Sequence, residues 1–226
     1  MTRGLLQTFE ILRKDALIEW RARSQAFALA CFAITILLLF SFAVGPDTAA
    51  LRQHAGAYLW LCLLLSSTLL LSRSFQTEVE SGALETLILA PVSPPAIFYG
   101  KAIANAAQLV LLSLVSLPFV VALFDGHFAM PIWKLLPVIV LGSAGLAAPG
   151  TLYAALTARL HSRQLLLPLL LFPLIVPCLL ASVKATSLVM AGDPMEQMSS
   201  WLTLLLCFDL VYWSLCGVLF PRVIDA

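Results

Sequence analysis

Charge is the scarcest ingredient of this chain. Of its 226 residues, 11% are Asp, Glu, Lys or Arg and 61% are hydrophobic, whereas soluble domains carry about 25% charged residues. Catalytic signatures are missing as well. No G-x-x-x-x-G-K-[ST] occurs: Gly100-Lys101 is followed by alanine and has no earlier glycine at the right spacing, so a nucleotide-phosphate loop of that type is excluded. Neither H-E-x-x-H nor G-x-S-x-G is present, which removes the usual zinc and serine hydrolase signatures. His161 lies beside Ser162, but adjacency in sequence does not make a triad. The five cysteines (Cys31, Cys62, Cys178, Cys207, Cys216) sit inside apolar runs without metal-type spacing and read as small core residues. The net charge of +1 gives no reason to expect a nucleic-acid partner; here the placement of charge matters more than its sum.

What is there comes in apolar runs of about twenty residues, the length that crosses about 30 Å of hydrocarbon at 1.5 Å per residue. The chain reads as a single all-α polytopic membrane domain over 1–226, with no room for a soluble domain. Six spans are expected near 26–44, 55–72, 97–124, 133–156, 165–184 and 201–220. Pro149-Gly150 in the fourth, and Pro168, Pro173 and Pro177 in the fifth, each remove a backbone hydrogen bond and predict a bend or break. The first run follows about 25 mixed-charge residues, too long a prelude for a secretory signal, so the amino terminus is expected to be retained. Within 3–23, Leu5, Phe9, Leu12, Ala16 and Trp20 recur at helical spacing, opposite Arg3, Gln7, Glu10, Arg13, Lys14 and Arg21. That pattern predicts an amphipathic helix lying in the lipid interface, or one packed on the bundle.

Orientation follows from the basic residues. With the amino terminus in the cytoplasm, ten of them (Arg3, Arg13, Lys14, Arg21, Arg23, Arg73, Lys101, Arg159, Arg163, Arg222) lie inside. Only Arg52, Lys134 and Lys184 lie outside. This positive-inside bias places both termini and the 73–101 loop in the cytoplasm. Trp133 and Trp201 then fall at outer ends, where amphipathic rings favour the headgroup level.

The stretch Arg73–Lys101 is the one long polar interruption. Ser81 suits the cap of a short helix from Ala83 to Leu89, with Glu85 in its first turn where negative charge meets the helix dipole. Leu84, Leu87 and Ile88 would share its apolar face, and Pro91 would end it. Such an element either inserts into a groove on a cytosolic partner or merely floats on the membrane.

Several of these pieces also carry a resemblance. They are Lys14-Asp15-Ala16-Leu17-Ile18-Glu19-Trp20-Arg21 before six spans, Phe75-Gln76, Glu78, Gly82-x-Leu84-Glu85-x-Leu87, Pro91, and Gly100-Lys101-x-x-Ala104-Asn105. End to end, the chain resembles the heme exporter B family, the B subunit of the bacterial cytochrome c maturation ABC complex. It departs at Ser81, where relatives often carry an acidic residue. The resemblance implies a type-2 ABC exporter-like permease of the inner membrane, with an amphipathic helix before six transmembrane helices. It implies a separate cytosolic ATPase subunit, a heme-handling membrane subunit, a small accessory subunit and a periplasmic heme chaperone. Heme enters as possible cargo, not as a resident cofactor. The 73–95 segment becomes the ATPase-coupling element, with Phe75, Gln76, Glu78, Glu80, Gly82, Leu84 and Glu85 as its candidate residues. One six-span chain is small for a translocation path, so a permease homodimer is a further expectation. Alternatives are a mechanical adaptor that passes ATPase motion to a neighbouring heme protein, and an exporter for an unrelated lipid, drug or polymer.

Asp209, ninth in the run Trp201–Phe220, is an intramembrane carboxyl. Such a group costs about 2.5–3.5 kcal/mol on insertion scales and usually faces the bundle interior. It reads as a substrate or coupling group, or as a protonated packing residue; with no basic residue at its depth, a hydroxyl, a backbone group or a proton must compensate. His54, His127 and His161 lack the paired spacing of heme ligands. Met190, Met195 and Met198 read as cover for apolar surface.

Overall fold

The computed structural model describes residues 6–14, 23–75, 93–158 and 163–224. All of its regular structure there is helical. Helix α1 covers residues 6–14, followed by α2 (Arg23–Val44), α3 (Thr48–Ser74), α4 (Pro94–Leu123), α5 (Leu135–Thr157), α6 (Arg163–Ala191) and α7 (Met198–Ile224). A short 3-10 turn, Ile132–Lys134, leads into α5. Six helices, α2 to α7, are long and apolar enough to cross a membrane.

The expected spans are all present, and α3 and α6 extend furthest beyond their apolar cores. Helix α3 begins seven residues early because Asp47 caps it, accepting from Ala49 N (3.0 Å) and Ala50 N (3.2 Å). Arg52, expected in the short loop between the first two spans, lies inside this helix. Helix α6 continues past Lys184 to Ala191; the lysine is exposed, as a side chain that carries its charge along the helix toward water. Prolines 94 and 95 occupy the first turn of α4 behind Ser93, as their missing donors predict. The predicted breaks do not occur. Helix α5 runs unbroken through Pro149, and α6 through Pro168, Pro173 and Pro177. One lost hydrogen bond does not open a turn that neighbouring helices enclose.

The bundle has an inside and an outside layer. In α5 and α3, 72% and 61% of the apolar window is buried, against 22–33% in the other four spans. Those two form the centre, and the rest present Phe27, Phe42, Leu169, Leu210 and Val218 outward. Helix α5 reaches the centre because its sequence is small there, Gly142-Ser143-Ala144-Gly145-Leu146-Ala147-Ala148. Without a hydrophobic drive between helices in lipid, small residues gain stability by letting backbones approach.

Helix α1 packs on the bundle along one side. Ile11 is buried, and a Cβ on Gly100 would come within 2.8 Å of its side chain, so α1 lies across α4 where glycine leaves room. Phe9 and Leu6 remain 62% and 64% exposed, free to face lipid. Leu5, Ala16, Trp20, Arg3 and Arg21 lie outside the described residues.

Candidate functional site

The helix ends that flank residues 76–92 meet in one buried polar knot. Ser74 is the last residue of α3, so its carbonyl is among the acceptors that a helix leaves without an intrahelical partner. The Lys101 ammonium, about two turns into α4, donates to that carbonyl at 2.9 Å. It also lies 4.8 Å from the centroid of the Phe75 ring. Lys101 is only 3% exposed. Burying a cation this deeply is costly unless hydrogen bonds and opposing charge offset it; here the helix C-terminus and an aromatic face contribute.

The knot extends one turn along α4. Asn105 Nδ2 donates to Ser74 Oγ (3.2 Å) and to Thr151 Oγ1 of α5 (2.9 Å), and Thr151 Oγ1 donates in turn to Ala147 O (2.7 Å). Phe75 is 2% exposed and packs on Phe220 of α7, which also meets Phe98 of α4. Tyr99 stacks on Trp213 of α7 at 6.2 Å. At the same end, Gln7 of α1 accepts from Ser93 N (3.4 Å) and Ser93 Oγ (3.3 Å). Four spans and α1 thus converge on the two stems of a single segment.

A second polar locus lies deeper. Asp209 of α7 is 7% exposed, and neither carboxyl oxygen has a hydrogen-bond partner among the described residues. It faces the gap at Gly145 of α5, where an added Cβ would stand 3.0 Å from Asp209 Oδ1 and against Cys178 of α6. Of the three compensations open to it, neither a hydroxyl nor a backbone group is supplied by the described residues.

The far end is closed by polar and aromatic contacts. Tyr58 is sandwiched between Phe40 (4.9 Å) and Phe124 (5.2 Å), with His54 edge-on at 6.2 Å. Arg52 pairs with Asp125, whose carboxyl it holds below the usual carboxylate range. His127 Nδ1 lies 3.0 Å from Asp125 O. Among the described residues no three His, Cys, Asp or Glu side chains are grouped to hold a metal. Met190 lies half-buried in the last turn of α6, Met195 is exposed and Met198 is buried at the start of α7, so the three methionines face different surroundings.

Comparison with known proteins decides the family. The profile described as "CcmB protein" matches residues 6–224. The chain belongs to the CcmB family. Its relatives include heme exporter protein B of Bradyrhizobium diazoefficiens, 31% identical over 182 residues, or 80% of this chain and 82% of that protein. Those of Rhodobacter capsulatus (34% identical, covering 75% and 78%) and Pseudomonas aeruginosa (32%, covering 85% and 85%) are similar. The CcmB match therefore contains both polar loci and the segment between α3 and α4.

Of the residues predicted for coupling in this CcmB chain, Phe75 is placed as the buried anchor at the end of α3. Gln76, Glu78, Glu80, Gly82, Leu84 and Glu85, the Ser81 cap and the helix after it lie outside the described residues. Lys101 and Asn105 were legible only as part of the family pattern and as one inner positive charge. Their spacing of four, on one face of a helix that starts beside the preceding span's last turn, was the signal.

Proposed function

We propose that this chain is the membrane permease subunit of an ABC complex that handles heme for c-type cytochrome biogenesis in the bacterial inner membrane. Both termini and the 73–95 segment face the cytoplasm, where a separate ATPase subunit docks on that segment and hydrolyses ATP. A heme-handling membrane subunit, a small accessory subunit and a periplasmic heme chaperone complete the assembly. Heme is cargo of the complex, and no resident cofactor is assigned to this chain.

The observation that carries the coupling reading is the double anchorage of the 76–92 segment. A loop that floats on the membrane needs no buried ammonium and no amide bridge at its root, and here both stems are tied to α5 and α7. A push on such a segment is delivered to the bundle core.

The test is a strain lacking this chain. Loss of c-type cytochromes, restored by the wild-type gene, supports the heme reading; intact cytochromes favour an exporter for an unrelated lipid, drug or polymer. Sealed vesicles holding the whole complex then separate the two heme mechanisms. Heme appearing across the bilayer marks an exporter, and ATP-dependent release of the heme-loaded chaperone without heme crossing marks an adaptor.

A further inference from the structure

We propose that Lys101 is the positioning residue that couples movement of the 76–92 segment into α5, by holding Ser74, which Asn105 in turn ties to Thr151. This rests on the reading of that segment as the ATPase-coupling element, and it adds which side chain carries the coupling onward.

The argument is one of connectivity. A segment joining the end of α3 to the start of α4 can pass on a displacement only if those ends move together. If they part, the displacement is spent in splaying the two helices. The covalent path between Ser74 and Lys101 runs through 26 intervening residues, so a direct contact between the two helix ends is by far the shorter link. The 2.9 Å bond from Lys101 Nζ to Ser74 O closes that path. Closure by a charged donor on a helix-terminal carbonyl, excluded from water at 3% exposure, is the strong form of the hydrogen bond.

From there the route is short. Asn105 sits one helical turn beyond Lys101 and holds both Ser74 Oγ and Thr151 Oγ1. Thr151 is fully buried in α5, six residues from Gly145, which faces Asp209. Asn105 is thus in direct contact with the central helix, and Lys101 reaches it through Ser74, whose carbonyl and hydroxyl the two side chains hold. Packed, hydrogen-bonded elements of this kind are the physical route by which one site biases another.

The experiment uses the whole complex. Lys101→Met keeps the length and apolar stem but removes the donor and charge; Lys101→Arg restores both. With Lys101→Met we expect the ATPase to co-purify and hydrolyse ATP within about twofold of wild type, while mature c-type cytochrome formed per ATP falls about tenfold or more. Lys101→Arg should recover much of that ratio. A residue needed only for folding would lower complex yield and hydrolysis together and leave the ratio unchanged, and that result overturns the proposal. If Lys101→Met does not accumulate, Thr151→Val tests the same route from α5 at constant shape. An unchanged ratio in Thr151→Val then overturns it, and a lowered ratio supports it. An ATPase that fails to associate even with the wild-type chain, or that binds equally after residues 76–92 are replaced by a neutral linker, overturns instead the docking reading beneath it.

Discussion

Trp60 occupies the space that a side chain on Gly142 would need. A Cβ at position 142 would collide with the end of the Trp60 indole and come within 2.6 Å of Ser182 Oγ. The indole has no room to retreat: it is fully buried, and its Nε1 donates to Thr186 Oγ1 at 2.9 Å. One glycine thus sets how closely the two central helices, α3 and α5, approach, with α6 holding the ring from behind. We predict that Gly142→Ala destabilises the folded protein by about 1–3 kcal/mol, the usual cost of forcing a methyl group into a packed core. Thermal unfolding in detergent would read this as a lowered midpoint, and an unchanged midpoint would mean the helices can move apart freely.

Asp209 lacks any positive partner among the described residues, so stability and cytochrome maturation together separate its readings. Asp209→Asn removes the ionisable proton at nearly constant shape, and the complex is expected to assemble with a melting midpoint close to wild type. A loss of about 3–5 kcal/mol would instead indicate that a buried ion pair had been broken. If stability holds but cytochrome maturation falls, the carboxyl serves coupling or cargo handling; if both hold, it is a packing residue.

The Arg52–Asp125 pair predicts an acid-sensitive far end. Because Arg52 depresses the Asp125 carboxyl below its ordinary value of 3.8, the folded state favours the ionised form. The resulting stabilisation is complete above that value and is lost as the pH falls below it. Both side chains are about half exposed, so the effect is local and small. Protection of the amides around 124–131, measured as hydrogen exchange relative to the intrinsic rate at each pH, should fall below pH 3.8 in the wild type. In Arg52→Gln that pH step should be much weaker; an identical step in both proteins would show that another group controls it.

The architecture was legible because bilayer length, apolar run and basic bias all act within single segments. Six apolar stretches fixed the six helices, and Pro94-Pro95 fixed where α4 begins. The limits of α3 and α6 were less visible. A capping aspartate and an exposed lysine both look like loop when charge alone is used to end a span. The Lys101 knot was the least legible feature. Its members are scattered over positions 74, 75, 101, 105, 151 and 220, and only the packing of four spans brings them together. A lone lysine next to a predicted membrane boundary reads as interface charge; its burial is a tertiary fact. Asp209 was legible as an anomaly, since an acidic residue in an apolar run is expensive wherever it faces. That it faces Gly145 and Cys178 required the structure.

The most direct test of the account is to find where the ATPase touches this chain. A photo-activatable side chain is placed at Gly82 or Leu84, within the 73–95 segment, and at Gly192, at the far end between α6 and α7, and the assembled complex is irradiated. The account predicts a covalent adduct with the ATPase subunit from positions 82 and 84 and none from 192. An adduct from 192, or none from any position tried along 76–92 in a complex that retains its ATPase, would contradict it.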